Sequence, residues 1–561
     1  MFFRLLFSAR GLVLAGILFS RPGWADQAVD RAAYAMPDSY SAKVTEMVLR
    51  SGGNAVDAAV AAAFTLSVTQ PEAGNLGGGG FMLVNMGDEA AFVDYRETAP
   101  AAASRDMYLD KNQEVVDGAS VTGRLAVGVP GTVAGLWEAH QKYGRLPWAV
   151  LIAPAVELAR NGFYVHPQLA QAVEDEAARF KGKTNFEQYF ANVRERELFR
   201  QPELGATLQR ISENGASEFY QGQTASLLVQ EMKRGGGLIS AEDLAGYEVV
   251  WREPLRANWR GDLLLTAPPP SSGGIALLQL LQMHDDLSDQ FKGKEQNSAG
   301  YIHLVAEMEK RVFADRAEYG GDPDFVEVPV ARLVSPDYVA SRAAQVNPTA
   351  ISRVDDVRPG LESRHTTHYS IVDFEGNAVS NTYTLNESFG SGVVVTGAGF
   401  LLNDEMDDFS AKPGVPNIYG VVGGDANAIS PGKRMLSSMT PTILIRHGRP
   451  IMVVGTPGGS TIFTSVFQVM INLLDFDMTP DQAVSAPRFH HQLLPPDEVT
   501  YDPGIPLSSG TLKGLTELGY KPRRHDWPLG DVMVISEQNG ELRAAADPRG
   551  RGVAGVLARD P

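Results

Sequence analysis

The 561-residue chain contains no cysteine. That absence excludes disulfides, thiolate catalysis, cysteine-ligated zinc and iron–sulfur clusters together. Positive charge is also scarce: 49 Lys and Arg stand against 67 Asp and Glu, a net charge of −18. A surface that binds phosphates by counterion release needs the opposite balance, so no nucleic-acid partner is expected. Histidine offers no metal motif. His365/His368 and the pair His490-His491 lack the H-E-x-x-H context, and no metal site is expected from them. There is no G-x-S-x-G elbow for a serine hydrolase. Repeats and low-complexity stretches are absent as well, and 44% hydrophobic with 21% charged residues is ordinary for a globular protein.

Long apolar runs are missing too. The one short run, Gly11 to Ser20, follows Arg4 and Arg10 and is ended by Arg21-Pro22 before Gly23-Trp24-Ala25. About ten apolar residues are too few to span a ~30 Å hydrocarbon core. Small residues at positions 23 and 25 suit a signal peptidase, so residues 1–25 read as a cleaved secretory signal; an uncleaved anchor is the alternative. Removing this segment takes three arginines and no acid from the chain, leaving a mature charge of −21. A cysteine-free exported protein suits the periplasm or the exterior.

The rest reads as a layered α/β or α+β body without long linkers. Ser41–Arg50 is an amphipathic helix ended by Gly52-Gly53. Asn54 caps a second, Ala-rich helix with Asp57 in its first turn. Because that helix is apolar almost all round, it is expected to lie buried between layers. Strands are expected at residues 81–86 and 90–95, and helices at 131–143 and 301–319. Residues 368–445 read as strand-rich. A strand at 451–454, a glycine-rich turn and a helix at 462–474 follow.

Two features invite a chemical reading. Gly77–Gly80 lacks the Lys-Ser/Thr of a phosphate loop, and a tight backbone crossing that only glycine permits is the better account. From Thr366 onward two β-like runs flank a turn at Asp373–Asn377. If that turn centres on Glu375, Thr366 stands opposite Thr384; a two-residue turn would make them diagonal neighbours. Either register brings two hydroxyls together, although threonine pairs across strands are also common structural features.

The surrounding motifs resemble the γ-glutamyltranspeptidases, a family of N-terminal nucleophile hydrolases, over essentially the whole mature chain. They are NLGGGGFML (75–83), YRETAP (95–100), GVPGTVAGL (128–136), PPPSSGG (268–274), TTHYSIVD (366–373), TYTLN (382–386), LLNDEMDDFS (401–410), GGDANA (423–428), SSMTPT (437–442) and GTPGGS (455–460). The resemblance implies a four-layer αββα sandwich and self-cleavage between His365 and Thr366. The products are a large subunit (26–365) and a small one (366–561), paired as a heterodimer that builds one body.

The resemblance also implies roles. Thr366 is the nucleophile, with its new α-amine as base, and Thr384 hydrogen-bonds it. Gly458 and Gly459 form the oxyanion hole. Arg96, Ser437 and Ser438 hold the substrate α-carboxylate, while Asn386, Glu405 and Asp408 hold its α-ammonium. Glu405 stands where many bacterial relatives have Gln, and Tyr419 is the tyrosine of a lid at 413–424. Arg96 beside Glu97 also fits an ordinary surface pair. The implied activity is transfer of γ-glutamyl groups from glutathione and similar amides to water, amino acids or dipeptides, without a cofactor. A glutaryl or cephalosporin acylase of the same fold, or a catalytically silent periplasmic binding protein, are the alternatives.

Overall fold

The computed structural model describes residues 31–353, 365–412 and 424–559. The expected signal segment 1–25 and Tyr419, expected to belong to a lid, lie outside them. Two antiparallel sheets carry the body. The first contains β1 (Arg31–Met36), β2 (Gly79–Met86), β3 (Glu89–Asp94) and β4 (Val250–Arg252). To the second belong β5 (Leu255–Trp259) and β6 (Asp262–Thr266). After residue 364 come β7 (His365–Val372) and β8 (Ala378–Asn386) of the first sheet, then β9 (Thr442–Arg446), β10 (Arg449–Gly455), β11 (Met533–Gln538) and β12 (Glu541–Ala546) of the second. The last strand, β13 (Val553–Ala558), returns to the first. The orders are β13-β1-β7-β8-β2-β3-β4 and β12-β11-β10-β9-β6-β5.

Helices cover both outer faces. On the first sheet lie α1 (Ser39–Arg50), α2 (Ala55–Thr69), α3 (Thr132–Tyr143) and α4 (Trp148–Asn161). Every residue of α2 is buried, packed with Met82, Tyr369 and Tyr383 of the sheet in one core. Asn54 caps it, accepting from the Val56 and Asp57 amides, and the Asp57 carboxylate accepts in turn from the Asn54 amide. On the second sheet lie α5 (Gly273–Asp286), α6 (Ala299–Tyr319) and α7 (Thr461–Leu474), over a core that includes Leu264, Leu444 and Val454. Between the sheets, Phe81, Leu83 and Phe92 meet Leu265, Ile443, Val453 and Ile535. This is the αββα sandwich the motifs imply. No helix of the described residues is long and apolar enough to cross a membrane.

The expected strand-rich stretch 368–445 is only partly strand. Past β8, the described residues from 387 to 441 hold turns, isolated bridges and short 3₁₀ turns. Gly390, Gly392, Gly397 and Gly399 take positive φ there, which bends the chain too often for a ladder. The apolar run Val393–Val395 is buried all the same, with the Asn185 side-chain amide giving and receiving the hydrogen bonds of Val394. Burial and β-branching set the composition of this segment, not sheet pairing.

Candidate active site

The hairpin β7–β8 places the two threonines. Thr366 is the partner of Thr384, the register of the turn centred on Glu375. The Asp373 carboxylate closes that turn, accepting from the amides of Glu375 and Asn377. Side chains alternate across the hairpin. Tyr369 and Tyr383 point outward and donate to the carbonyls of Ala59 and Ala63 in α2. His368 and Thr382 point inward, 2.7 Å apart, so Thr366 and Thr384 share the face toward the second sheet. Burial among these groups pushes the His368 pKa down to about 3, a core histidine rather than a ligand. His365 begins β7 opposite Asn386; its side chain lies outside the described residues.

A bulge between Thr384 and Asn386 redirects the chain. The Thr384 hydroxyl accepts from the Asn386 amide at 2.8 Å, and Asn386 takes a left-handed φ of 79°. Its side-chain amide then donates to the Asp404 carbonyl at 3.1 Å. Asn386 is thus tied to the turn that carries Glu405 and Asp408. From the other side, Asn75 donates to the Thr384 carbonyl at 2.8 Å and accepts from the Gly78 amide. A β-carbon on Gly78 would overlap that same carbonyl oxygen, and one on Gly80 would press on the Thr382 carbonyl. The four glycines are therefore the close crossing read from the sequence.

Arg96 follows β3 and is not on the surface: it is 1% exposed and Glu97 0%. The surface-pair alternative fails for that reason. The Arg96 guanidinium contacts Glu405 and Asp408 through its two terminal nitrogens, and Glu97 lies 3.6 Å away. It also donates to the carbonyls of Met435 and Leu436, at 3.4 and 3.2 Å. Burial opposes the Arg96 charge, but Glu405, Asp408 and Glu97 more than offset it, so its pKa lies above the usual guanidinium value. Burial raises all three carboxyls, against the pull of Arg96, and pushes Glu97 up to about 8. Neither oxygen of Glu97 has a hydrogen-bond partner.

Ser437 and Ser438 follow the two carbonyls that Arg96 touches. The Ser437 hydroxyl accepts from the Met439 amide at 3.1 Å; that of Ser438 is buried without a hydrogen-bond partner. Thus Arg96, the two serines and the carboxylates expected to hold an ammonium meet at one place. The structure pairs Glu405 and Asp408 with Arg96 itself, a contact no linear motif reveals.

Gly458 and Gly459 approach from the second sheet. The Val454 carbonyl of β10 accepts from Ser380 at 3.2 Å, and a β-carbon on Gly455 would enter the His368 ring. The strand therefore passes the Ser370–Ser380 row, then the His368–Thr382 row, and its continuation heads for Thr366–Thr384. Gly458 and Gly459 then turn with φ of 134° and 57°, which side-chain-bearing residues adopt only under strain. The Gly458 carbonyl accepts from the amide and hydroxyl of Thr461 as α7 begins. Among the described residues no cluster of His, Asp and Glu could hold a metal ion. Asn75 and buried Glu97 escaped the sequence reading as site residues, although both lie inside its quoted motifs.

A sequence model of the gamma-glutamyltranspeptidase family matches residues 41–557. The glutathione hydrolase proenzyme of Pseudomonas aeruginosa is 59% identical over 94% of this chain and 95% of its own. That of Escherichia coli is 44% identical over 92% and 91%. Among solved structures, gamma-glutamyltranspeptidase from Pseudomonas nitroreducens complexed with L-DON matches with a TM-score of 0.57 at 55% identity, over 58% of this chain and 97% of that one. Cephalosporin acylase from Bacillus halodurans matches with a TM-score of 0.80 at 26% identity, over 94% and 95%. With a family model spanning nearly the whole chain and relatives this similar from end to end, the protein belongs to the gamma-glutamyltranspeptidase family.

Proposed function

We propose that the protein is an exported γ-glutamyltransferase and glutathione hydrolase that cleaves itself before Thr366. One observation carries the reading: a rung of two threonine hydroxyls stands beside a buried group holding one guanidinium and several carboxylates. The guanidinium is shaped for a carboxylate and the acids for an ammonium, and an α-amino acid head group has both. An acylase reading is not favoured, since the acylase match is at 26% identity against 44% and 59% for the glutathione hydrolase proenzymes.

In maturation the Thr366 hydroxyl adds to the His365 carbonyl. The C–N bond breaks, its nitrogen becomes the Thr366 α-amine, and water hydrolyses the resulting ester. In turnover that amine accepts the hydroxyl proton; its ordinary pKa of about 7.7–8.0 suits a base near neutral pH. The oxygen adds to the γ-carbonyl of the donor, and the Gly458 and Gly459 amides face the oxyanion. Collapse breaks the amide bond, and the leaving amine, cysteinylglycine when glutathione is the donor, takes the proton. Water or an amino acid or dipeptide amine then attacks the γ-glutamyl ester and restores Thr366. Thr384 accepts the Asn386 amide through its hydroxyl, which leaves that group's own proton to donate on the rung it shares with Thr366.

The test is purified mature protein on a denaturing gel. Two bands, with the smaller one starting at Thr366 and release of anilide from a γ-glutamyl anilide, support the reading. One uncut and inactive band overturns it.

A further inference from the structure

We propose that Arg316, acting through Ser272, is a positioning residue for the serine segment that receives the substrate α-carboxylate; this rests on the reading above. Arg316 lies in the last turn of α6. Its Nε donates to the Ser272 hydroxyl at 3.0 Å. That hydroxyl donates onward to the Ser437 carbonyl at 2.8 Å. The Ser272 amide donates to the same carbonyl at 2.8 Å. Ser271 reaches past it to the Met439 carbonyl at 2.7 Å, and the Ser437 amide donates to the Pro270 carbonyl at 3.0 Å. Residues 270–272 therefore grip residues 437–439 along their backbone, and Arg316 sets the direction of the Ser272 hydroxyl in that grip.

The direction matters because a hydroxyl has a single proton. With Arg316 donating to its oxygen, Ser272 must donate to Ser437, and the chain Arg316 to Ser272 to Ser437 runs one way. Hydrogen bonds in such a chain polarise one another. The peptide they reach joins Ser437 to Ser438, so its N–H belongs to Ser438, whose buried hydroxyl has no hydrogen-bond partner. Arg316 also acts through space. It is buried, and its charge is felt by Asp408. Burial lowers its pKa to about 9, against the pull of Asp408, so at neutral pH it remains a cation in the field in which a carboxylate would bind.

The experiment compares wild type with Ser272→Ala, Arg316→Lys and Arg316→Met, using the γ-glutamyl anilide and a 4-aminobutyryl anilide that lacks the α-carboxylate. Ser272→Ala is a small deletion suited to retain the fold, so it decides the question if Arg316→Met does not fold. Self-cleavage should proceed in Ser272→Ala. KM for the γ-glutamyl donor should rise roughly three- to thirtyfold with kcat much less changed, the pattern of lost binding energy. The aminobutyryl donor should show no such rise. Arg316→Lys keeps the charge without the fixed Nε direction and should fall between wild type and Arg316→Met. An unchanged KM in Ser272→Ala, or equal losses on both donors, overturns the proposal. A wild-type protein that neither cleaves nor turns over the γ-glutamyl anilide would instead overturn the functional reading beneath it.

Discussion

Gly78 and the Thr384 carbonyl are packed so closely that no β-carbon fits between them. Gly78→Ala sets a methyl against backbone on one side and the Asn75 side chain on the other, where nothing flexible can give. It should destabilise by roughly 3 kcal/mol and displace the rung that holds Thr366. Thermal unfolding and the fraction of chain cleaved report both effects. A normal melting temperature with full cleavage would show that β8 can shift.

Thr366→Ala removes the oxygen that serves both maturation and turnover in the proposed mechanism. The protein should accumulate as one uncut, inactive chain. Thr366→Ser keeps the oxygen but loses the methyl that restricts χ1, and it should cut slowly and retain reduced activity. Gel mobility and N-terminal sequencing separate these outcomes. Cleavage in Thr366→Ala would assign the nucleophile elsewhere.

At Arg96 the charge and the fork can be separated. Arg96→Lys keeps a cation among Glu97, Glu405 and Asp408 but loses the two-pronged geometry, so KM for a γ-glutamyl anilide should rise at least tenfold with a modest loss of stability. Arg96→Met leaves three buried acids without their cation and should lose about 3–5 kcal/mol. Asp408→Asn should weaken γ-glutamyl donors more than glutaryl donors, which lack the ammonium. Equal weakening of both would remove Asp408 from that role.

Glu97 gives stability a pH dependence of known sign. Burial raises its carboxyl from an ordinary 4.5 to about 8, so between those values the folded chain keeps a proton that the unfolded chain has released. Its contribution is greatest below that window and is lost as pH rises through it. Glu97→Gln should therefore gain on wild type in melting temperature at pH 9 relative to pH 5. Asp407 and Asp531, also raised to about 8 by burial, have the same sign and leave a residual slope in the variant. A difference between the proteins that does not change with pH would mean that Glu97 is charged throughout.

Local chemistry was legible in the sequence wherever one segment decides its own shape. Asn54 and Asp57 announce the start of α2, and its all-round alanines announce burial, because caps and periodicity act within a few residues. The hairpin was legible to within one place; the Asp373 side chain, which bonds the amides of Glu375 and Asn377, selects between the two registers. The surroundings of Arg96 were not legible. Glu97 is its neighbour, but Glu405, Asp408 and the Leu436 carbonyl come from segments more than three hundred residues away. Whether Arg-Glu is a surface pair or the middle of a buried group depends on what packs over it. The described residues between 387 and 441 misled for a related reason: valines and phenylalanines mark burial, and here side-chain amides and glycine turns supply what a ladder would.

Interior placement of β7 has a consequence for the cleaved protein. The strand that holds the proposed cleavage site lies between β1 and β8, and with cleavage before Thr366 the two sheets take β1 to β6 from before the cut and all of β7 but its first residue, with β8 to β13, from after it. The two chains produced by cleavage are therefore threaded through each other's hydrogen bonding and cannot part by sliding along an interface. Separation would require both sheets to come open. Mature molecules mixed in solution should keep their original partners for as long as they stay folded, so that a large subunit carrying one mutation and a small subunit carrying another do not meet by exchange.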